Sequence, residues 1–316
     1  MRVVFVGKNH EFSMAPLKAI SEHHAVAGIV ESGPRASQQP KPFTLKPFLS
    51  SCKQRFVFHD SLRSFAQEIE ARYMYLYTRN RADLLGFLRK IKPDLICVAS
   101  LSQLLQKEVL DIPKHGAINL HPSLLPKYRG PFPWFWQYYN YEKQWGVTVH
   151  AIDEGQDTGP IIKQEAFGME TGTGIDDAIK IVSRIGARLM LEAVNEIEAG
   201  TAVRKPQPQH QYPKARVVLR DEKLIEWDTW EIERVWHFLR GTYPWLDSVE
   251  YPKRLFNLGT WRVGKVERGK CSALPGKVFK DDKGYFIAHR DGKLRLHIDY
   301  PWSGWIKRFM SEASET

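Results

Sequence analysis

Asn119, His121 and Asp157 carry the side chains best suited to moving a proton and holding a developing negative charge. Asn119 and His121 stand two apart in AINLHPSLLPKYRG, so a continuing strand puts both on one face. Asp157 lies between Gly155 and Gly159 in AIDEGQDTGPII, where glycine permits tight turns and close ligand approach. A histidine titrating at about 6.5 suits proton transfer near neutral pH. An amide N–H can meet the oxyanion of a tetrahedral intermediate. A carboxylate beside a histidine orients the ring and raises its pKa. The three together point to acyl-type transfer.

Each residue also has an ordinary explanation. His121 can cap a backbone group, Asn119 can make a buried strand-end hydrogen bond, and Asp157 can form an Asx-turn. Asp153 and Glu154 compete with Asp157, and spacing alone leaves that choice open. Pro122 and Pro126 stiffen the loop after His121.

Other chemistries lack their motifs. No GxGxxG follows the first strand, and no phosphate-loop lysine motif is present. Ser123 lacks the Gly-flanked setting of a serine nucleophile. His115, His121 and His150 do not have metal-motif spacing, and His23-His24 reads as surface. The three cysteines, Cys52, Cys97 and Cys271, are far apart and odd in number. They argue against a disulfide framework or zinc site and favour a reducing cytoplasm.

The elements that must position the trio follow from the pattern. Strand-like runs at Arg2–Val6, Ala25–Val30, Tyr73–Tyr77, Asp94–Ala99, Ala117–Leu120 and Gly146–Ile152 alternate with helical patterns. Those patterns are Ala15–His23, Ala82–Ile91, Leu104–Leu110 and the long Ile175–Ala199. Lys41–Cys52 reads as a surface loop. The alternation predicts an α/β fold, a mostly parallel sheet with helices on both faces. Ligands bind such sheets at the carboxyl ends of strands, where Asn119, His121 and Asp157 fall.

At 316 residues the chain has room for two domains. The first is expected over residues 1–204. Residues 205–213, KPQPQHQYP, are polar with three prolines and read as a linker. Over 214–316 comes a helix, Thr229–Arg240, and then short runs at Leu255–Val263, Gly276–Phe279, Tyr285–Ala288 and Leu294–Ile298. Hairpin signals at Asp282-Lys-Gly284 and Asp291-Gly292 predict a small β-barrel-like domain. No run reaches the ~18 apolar residues of a membrane span, and no signal peptide is evident.

The formal charge of +10 favours anionic partners such as nucleotide phosphates or RNA. Residues 251–280 concentrate it, with Lys253, Arg254, Arg262, Lys265, Arg268, Lys270, Lys277 and Lys280 around Tyr251 and Trp261. This is either an RNA-binding face or a solvated mixed surface. The aromatic block Phe132-Pro-Trp-Phe-Trp136 with Tyr138-Tyr139 reads as a helix packing on the sheet, its first residues near the trio and able to line an acceptor pocket.

The run Asn119–Gly130, NLHPSLLPKYRG, taken with Asp153–Gly159, DEGQDTG, resembles the formyltransferase family that uses 10-formyltetrahydrofolate. The Asn-to-Asp separation of 38 matches its methionyl-tRNA and amino-sugar branches. The resemblance runs from Met1 to about Ala202. It returns faintly at Ile225-Glu-Trp227, Pro244-Trp245, Pro275-Gly276 and Asp291–Leu294. It implies a Rossmann-like catalytic domain followed by an OB-like barrel.

The resemblance also implies roles. His121 is the general acid/base, Asn119 stabilises the oxyanion, and Asp157 supports His121 and proton movement to the departing N10. Ser123, Leu124, Leu125 and Pro126, with Asp153, Glu154, Gly155, Gln156 and Asp157, would hold the folate, partly through backbone groups. Ser100 and Leu101 would contact the pterin. The co-substrate is 10-formyltetrahydrofolate, whose glutamates suit a basic protein, and the reaction calls for no metal or covalent intermediate.

The acceptor stays open between initiator methionyl-tRNA and a nucleotide-linked amino sugar. Length, charge and a C-terminal barrel favour the tRNA. Pro122 in place of a small residue, and the loose match of the loop after Glu31 to a basic tRNA-gripping insertion, depart from that branch. Pro131 stands where the sugar enzyme fused to a dehydrogenase has arginine. A 10-formyltetrahydrofolate hydrolase and a non-catalytic RNA-binding protein on the same fold are the competing classes.

Overall fold

A computed structural model describes residues 1–33, 61–77, 81–208, 211–246, 248–253 and 259–300. The expected surface loop at Lys41–Cys52 and the start of the expected strand at Leu255 lie outside them. The chain divides into two compact units. The first comprises Met1–Pro133, Gln144–Gly168 and Asp176–Ala215, and the second Trp134–Lys143, Met169–Ile175 and Arg216–Thr316.

The first unit is built on a seven-stranded sheet. Its strands are β1 (Arg2–Gly7), β2 (Ala25–Ser32), β3 (Arg72–Leu76), β4 (Leu95–Ala99), β5 (Ala117–His121), β6 (Gln144–Ala151) and β7 (Ile161–Gly168). They lie in the order β3-β2-β1-β4-β5-β6-β7. The first five are parallel, and β6 and β7 close the edge antiparallel. Continuous apolar runs explain the interior. Val3-Val-Phe-Val6 and Leu95-Ile-Cys-Val-Ala99 are buried on both faces, as parallel strands must be when helices cover each side. Edge strand β7 alternates instead from Lys163 on, with Gln164, Ala166 and Gly168 exposed and Lys163, Glu165 and Phe167 half-buried.

The helices of this unit are α1 (Glu11–Ser21), α2 (Leu62–Glu68), α3 (Arg81–Ile91), α4 (Lys107–Leu110) and, starting at the boundary of the second unit, α6 (Ile175–Ala199). Leu84, Leu88 and Ile91 of α3 recur at helical spacing and pack with Val4, Val6, Val30, Ile96, Val98 and Ala117. Helix α6 lies against the opposite face. It presents Gly186 to Leu120, where an added Cβ would stand 2.8 Å from a leucine methyl. Strand alternation then directs Asn119 and His121 away from Ile118 and Leu120, to the side of Ala117. Two elements escaped the sequence reading. Helix α2 is a seven-residue segment capped by the Ser61 hydroxyl, and β7 has a polar face that masks its strand character.

Residues 205–213, expected as a linker, are bonded along the first unit where they are described. Lys205 and Ile161 exchange both backbone hydrogen bonds, and Tyr128 N–H donates to Pro213 O at 2.6 Å. Gln207 is buried. The polarity of the segment reflects hydrogen-bonding duty to its neighbours.

The second unit contains α5 (Pro133–Tyr139, from Trp134 onward) and α7 (Ile232–Thr242). Its sheet joins β8 (Thr260–Arg268), β9 (Val278–Asp281), β10 (Gly284–His289) and β11 (Gly292–Asp299). Among the described residues these four strands are antiparallel in the order β8-β11-β10-β9. The expected hairpin turns join β9 to β10 and β10 to β11. The rings of the aromatic block meet α7. Phe135 lies 5.5 Å from Phe238, and Tyr139 lies 5.5 Å from Trp230 just before that helix. Edge-to-face aromatic pairs of this kind bury large apolar area at fixed geometry. Among the described residues, no helix is long and apolar enough to cross a membrane.

Candidate active site

Strand β5 delivers Asn119 and His121, and antiparallel pairing with β6 sets His150 directly opposite Asn119. Asp157 arrives from the turn between β6 and β7. Its φ of 55° is a left-handed conformation that L-residues adopt at a cost. Gly159 makes the turn possible, since a Cβ there would stand 1.9 Å from the Ala151 carbonyl oxygen.

The loop after His121 is tied down residue by residue. Thr148 Oγ1 donates to Ser123 O at 2.6 Å and accepts from Leu125 N–H at 3.2 Å. Gln164 Nε2 donates to Leu125 O at 2.9 Å. Ser123 Oγ donates to Lys127 O at 2.7 Å, and the Leu125–Pro126 peptide is cis. The loop delivers two groups to the site. The Tyr128 carbonyl accepts from His121 Nε2 at 2.9 Å, and Gly130 N–H donates to Asp157 Oδ2 at 2.9 Å. Gly130 must be glycine, with φ 127° and the Ala215 carbonyl oxygen 2.5 Å from where a Cβ would be.

The polar atoms converge on Asp157 Oδ1. His121 Nδ1 lies 3.7 Å away, His150 Nε2 3.6 Å and Asn119 Nδ2 3.4 Å. Asn119 Nδ2 also reaches His150 Nε2 at 3.1 Å. The hydrogen-bond inventory assigns the protons. A carbonyl only accepts, so His121 carries its hydrogen on Nε2, toward Tyr128 O. His150 carries its hydrogen on Nδ1, toward Ala151 O at 2.8 Å. With its Nε2–H turned to Tyr128 O, His121 presents Nδ1 to the site, and His150 Nε2 accepts one amide hydrogen of Asn119.

Charge is set by burial and neighbours. Burial lowers the His121 pKa below the ordinary histidine value, and Asp157 opposes that shift without cancelling it. Burial alone would raise Asp157, but His121, His150 and the Gly130 N–H outweigh it and hold the carboxyl well below its usual range. At neutral pH the site is a neutral imidazole beside a fixed carboxylate. It can accept a proton at His121 Nδ1 and stabilise the resulting cation, while the Asn119 hydrogen in the long 3.4 Å contact with Asp157 Oδ1 is the one a ligand oxygen can take over.

Of the sequence-predicted residues, the structure gathers Asn119, His121 and Asp157. Asp153 serves its own turn, accepting from Gly155 N–H at 3.1 Å and Thr158 Oγ1 at 2.6 Å. Glu154 and Gln156 are exposed in the same turn. Leu124 packs over Gly146, and Leu125 is buried. Ser100 ends β4 with φ 71°, and Leu101 packs against the sheet-side core. His150 was read only as lacking metal spacing. Its signal was a lone imidazole in an otherwise buried strand, but its partner depends on cross-strand register. Gln207 was hidden in the apparent linker.

Comparison with known proteins gives this geometry a family. The Formyl transferase family model matches residues 1–194. The chain belongs to the formyl transferase family. Methionyl-tRNA formyltransferase of Agathobacter rectalis is 34% identical to this formyltransferase over 305 residues, covering 94% of this chain and 90% of that one. The enzyme of the same name from Thermodesulfovibrio yellowstonii is 34% identical over 219 residues, 68% of this chain and 69% of its own. Among solved structures, the fold resembles an N-formyltransferase from Helicobacter canadensis in complex with folinic acid and dTDP-3-aminofucose. The TM-score is 0.62 at 17% identity, covering 94% of this chain and 99% of that one. HypX from Aquifex aeolicus gives a TM-score of 0.60 at 17% identity, covering 94% of the formyltransferase and 45% of HypX.

Proposed function

We propose that this formyltransferase moves the formyl group of 10-formyltetrahydrofolate to the amine of initiator methionyl-tRNA. The observation that carries the acceptor is the 34% identity to a methionyl-tRNA formyltransferase over 94% of the chain, spanning both units. The donor follows from the family and from a site with a base and an oxyanion donor on adjoining strands. The amino-sugar enzyme shares the fold at 17% identity, which carries no argument about the acceptor.

His121 takes the proton that the amine loses as its nitrogen bonds the formyl carbon, receiving it at Nδ1. Asn119 Nδ2 turns the hydrogen of its long 3.4 Å contact with Asp157 Oδ1 to the formyl oxygen as that oxygen gains negative charge, while its other hydrogen stays on His150. Asp157 stabilises the imidazolium so formed. The proton then passes to folate N10 as its bond to the formyl carbon breaks, which restores neutral His121. His150 holds the amide of Asn119 in the orientation that offers N–H.

Ser123, Leu124, Leu125 and Pro126, with the 153–156 turn, form the proposed folate wall. Ser123 and Asp153 act mainly by bracing their loops, so the folate is held largely by backbone groups and by Leu124. Ser100 and Leu101 border the pterin end.

Residues 1–204 form the proposed catalytic domain. Residues 205–213 connect it to a second domain over 214–316, whose antiparallel strands belong to an OB-like barrel. Much of the basic charge there is locally paired. Arg268 bonds Glu233 at 2.6 Å, Lys277 bonds Glu250 at 3.2 Å, and Arg262 lies over the Tyr243 ring. Trp261 is buried and donates to Pro252 O, so it is no open stacking platform. Lys265, Lys270 and Lys280 remain exposed and are the proposed phosphate contacts. A reducing cytoplasm suits the buried free thiol of Cys97.

The deciding experiment supplies 10-formyltetrahydrofolate with charged initiator tRNA, with a panel of nucleotide-linked amino sugars, or with no acceptor. Tetrahydrofolate release with the tRNA alone is expected. Release only with a sugar reassigns the acceptor, and equal release without acceptor makes the protein a hydrolase.

A further inference from the structure

Gln207 sits beyond the stretch matched by the family and is buried against the turn that carries Asp157. Its Nε2 donates to Asp157 O at 2.9 Å and to Gly159 O at 2.7 Å. Its Oε1 accepts from Arg129 Nε at 2.9 Å and from Arg129 Nη2 at 2.6 Å. Both amide hydrogens and both oxygen lone pairs are thus used, and the guanidinium can only donate. The amide therefore has one orientation.

These four contacts bracket Asp157 from both sides. The Nε2 pair grips the main chain on either side of Thr158, where Asp157 holds its left-handed φ of 55°. The Oε1 pair grips Arg129, whose neighbour Gly130 donates to Asp157 Oδ2. Arg129 O in turn accepts from Ala215 N–H, which fixes the loop to the segment carrying Gln207. A non-glycine residue in this conformation persists only when its surroundings over-determine it. Gln207 supplies that constraint with one side chain.

We propose that Gln207 is a positioning residue for formyl transfer. It locks the Asp157 turn to the Arg129–Gly130 loop and so fixes the Asp157 carboxylate opposite His121. The proposal rests on the assigned role of Asp157 as the partner of His121. Gln207 acts only through Asp157, and it lies in a segment whose composition reads as a connector.

Two substitutions separate this role from simple anchoring. Gln207→Glu keeps an oxygen for Arg129 but loses both N–H donors and turns an acceptor toward two carbonyls. Gln207→Met keeps the volume and loses all four contacts. A displacement of about 1 Å in a catalytic group costs on the order of a hundredfold. Both variants are therefore expected to lose roughly 10- to 100-fold in kcat with little change in folate KM. A purely structural tether through Arg129 would be rescued by glutamate.

The second readout needs no turnover. Asp157 raises the His121 pKa, so its displacement in Gln207→Met must lower the His121 midpoint in an NMR titration of the full chain. A wild-type His121 titration in both variants overturns the proposal, whatever happens to kcat. If His121 shifts while kcat stays unchanged, Gln207 positions Asp157 and the catalytic role of Asp157 is what fails.

Discussion

His121 presents Nδ1 to Asp157 Oδ1 at 3.7 Å while its Nε2–H is committed to the Tyr128 carbonyl at 2.9 Å. One ring nitrogen is held and the other is left to take a proton. Replacing His121 with glutamine removes that acceptor in a side chain of similar reach. General-base catalysis contributes on the order of 10²–10⁴, so kcat for formyl transfer is expected to fall by that factor with folate KM little changed. Single-turnover transfer with saturating donor measures it. A loss confined to KM would move His121 from proton transfer to binding.

The acid limb of the pH profile follows from the same burial. His121 works as the neutral base, and burial holds its pKa below the ordinary histidine value of about 6.5. Activity should therefore persist as pH falls through about 6.5 and decline only below it. Asp157 raises the His121 pKa, so Asp157→Asn should lower the maximal rate and move the limb to still lower pH. The kcat/KM profile of the free enzyme reports this value. A limb above 6.5 would contradict the neutral-base assignment.

Asn119 owes its orientation to His150. The His150 Nδ1–H is bound to Ala151 O, so its Nε2 accepts from the Asn119 amide at 3.1 Å and fixes the NH₂ end inward. His150→Leu removes that acceptor and lets the amide rotate. A loss of about tenfold in kcat is expected, smaller than the ~10²–10³ for Asn119→Ala, which removes the oxyanion donor itself. In the double variant the two losses should not add, because His150 acts through Asn119. Full additivity in that cycle would show that His150 works independently.

The sequence pattern reveals the catalytic sheet well because burial on both faces writes β1 and β4 as unbroken apolar runs. It also reveals Asn119 and His121, since strand period alone sets them on one face. What it hides is pairwise. His150 becomes a site residue only through its register opposite Asn119. Spacing alone leaves Asp157 level with Asp153; the resemblance of DEGQDTG picks Asp157, and Asp153 is seen spending its carboxylate on Gly155 and Thr158. Aromatic content carries no address, so the packing of Phe135 and Tyr139 toward Phe238 and Trp230 is not legible in the block itself. Gln207 was masked by prolines that read as a connector. Its hydrogen bonds span about fifty residues of sequence, as the 50-residue separation from Asp157 records.

His237 gives the second unit an acid-labile point. It is fully buried, and its Nδ1 accepts from Gly172 N–H at 3.0 Å. Burial, with Lys143 and Arg240 nearby, lowers its pKa from 6.5 to about 4. The unfolded chain binds a proton there near pH 6.5, while the folded chain resists until about pH 4. The stabilising contribution of the neutral ring is thus complete above 6.5, declines as pH falls, and is gone below about 4. A shift of this size corresponds to roughly 3 kcal/mol. His237→Phe removes the titration and the acceptor for Gly172 together. The variant should be less stable than wild type at pH 7, and the gap should narrow or reverse toward pH 4.5. Urea unfolding followed by tryptophan fluorescence between pH 7 and pH 4.5 measures both curves. Parallel curves would mean that His237 does not hold its neutral form in the folded protein.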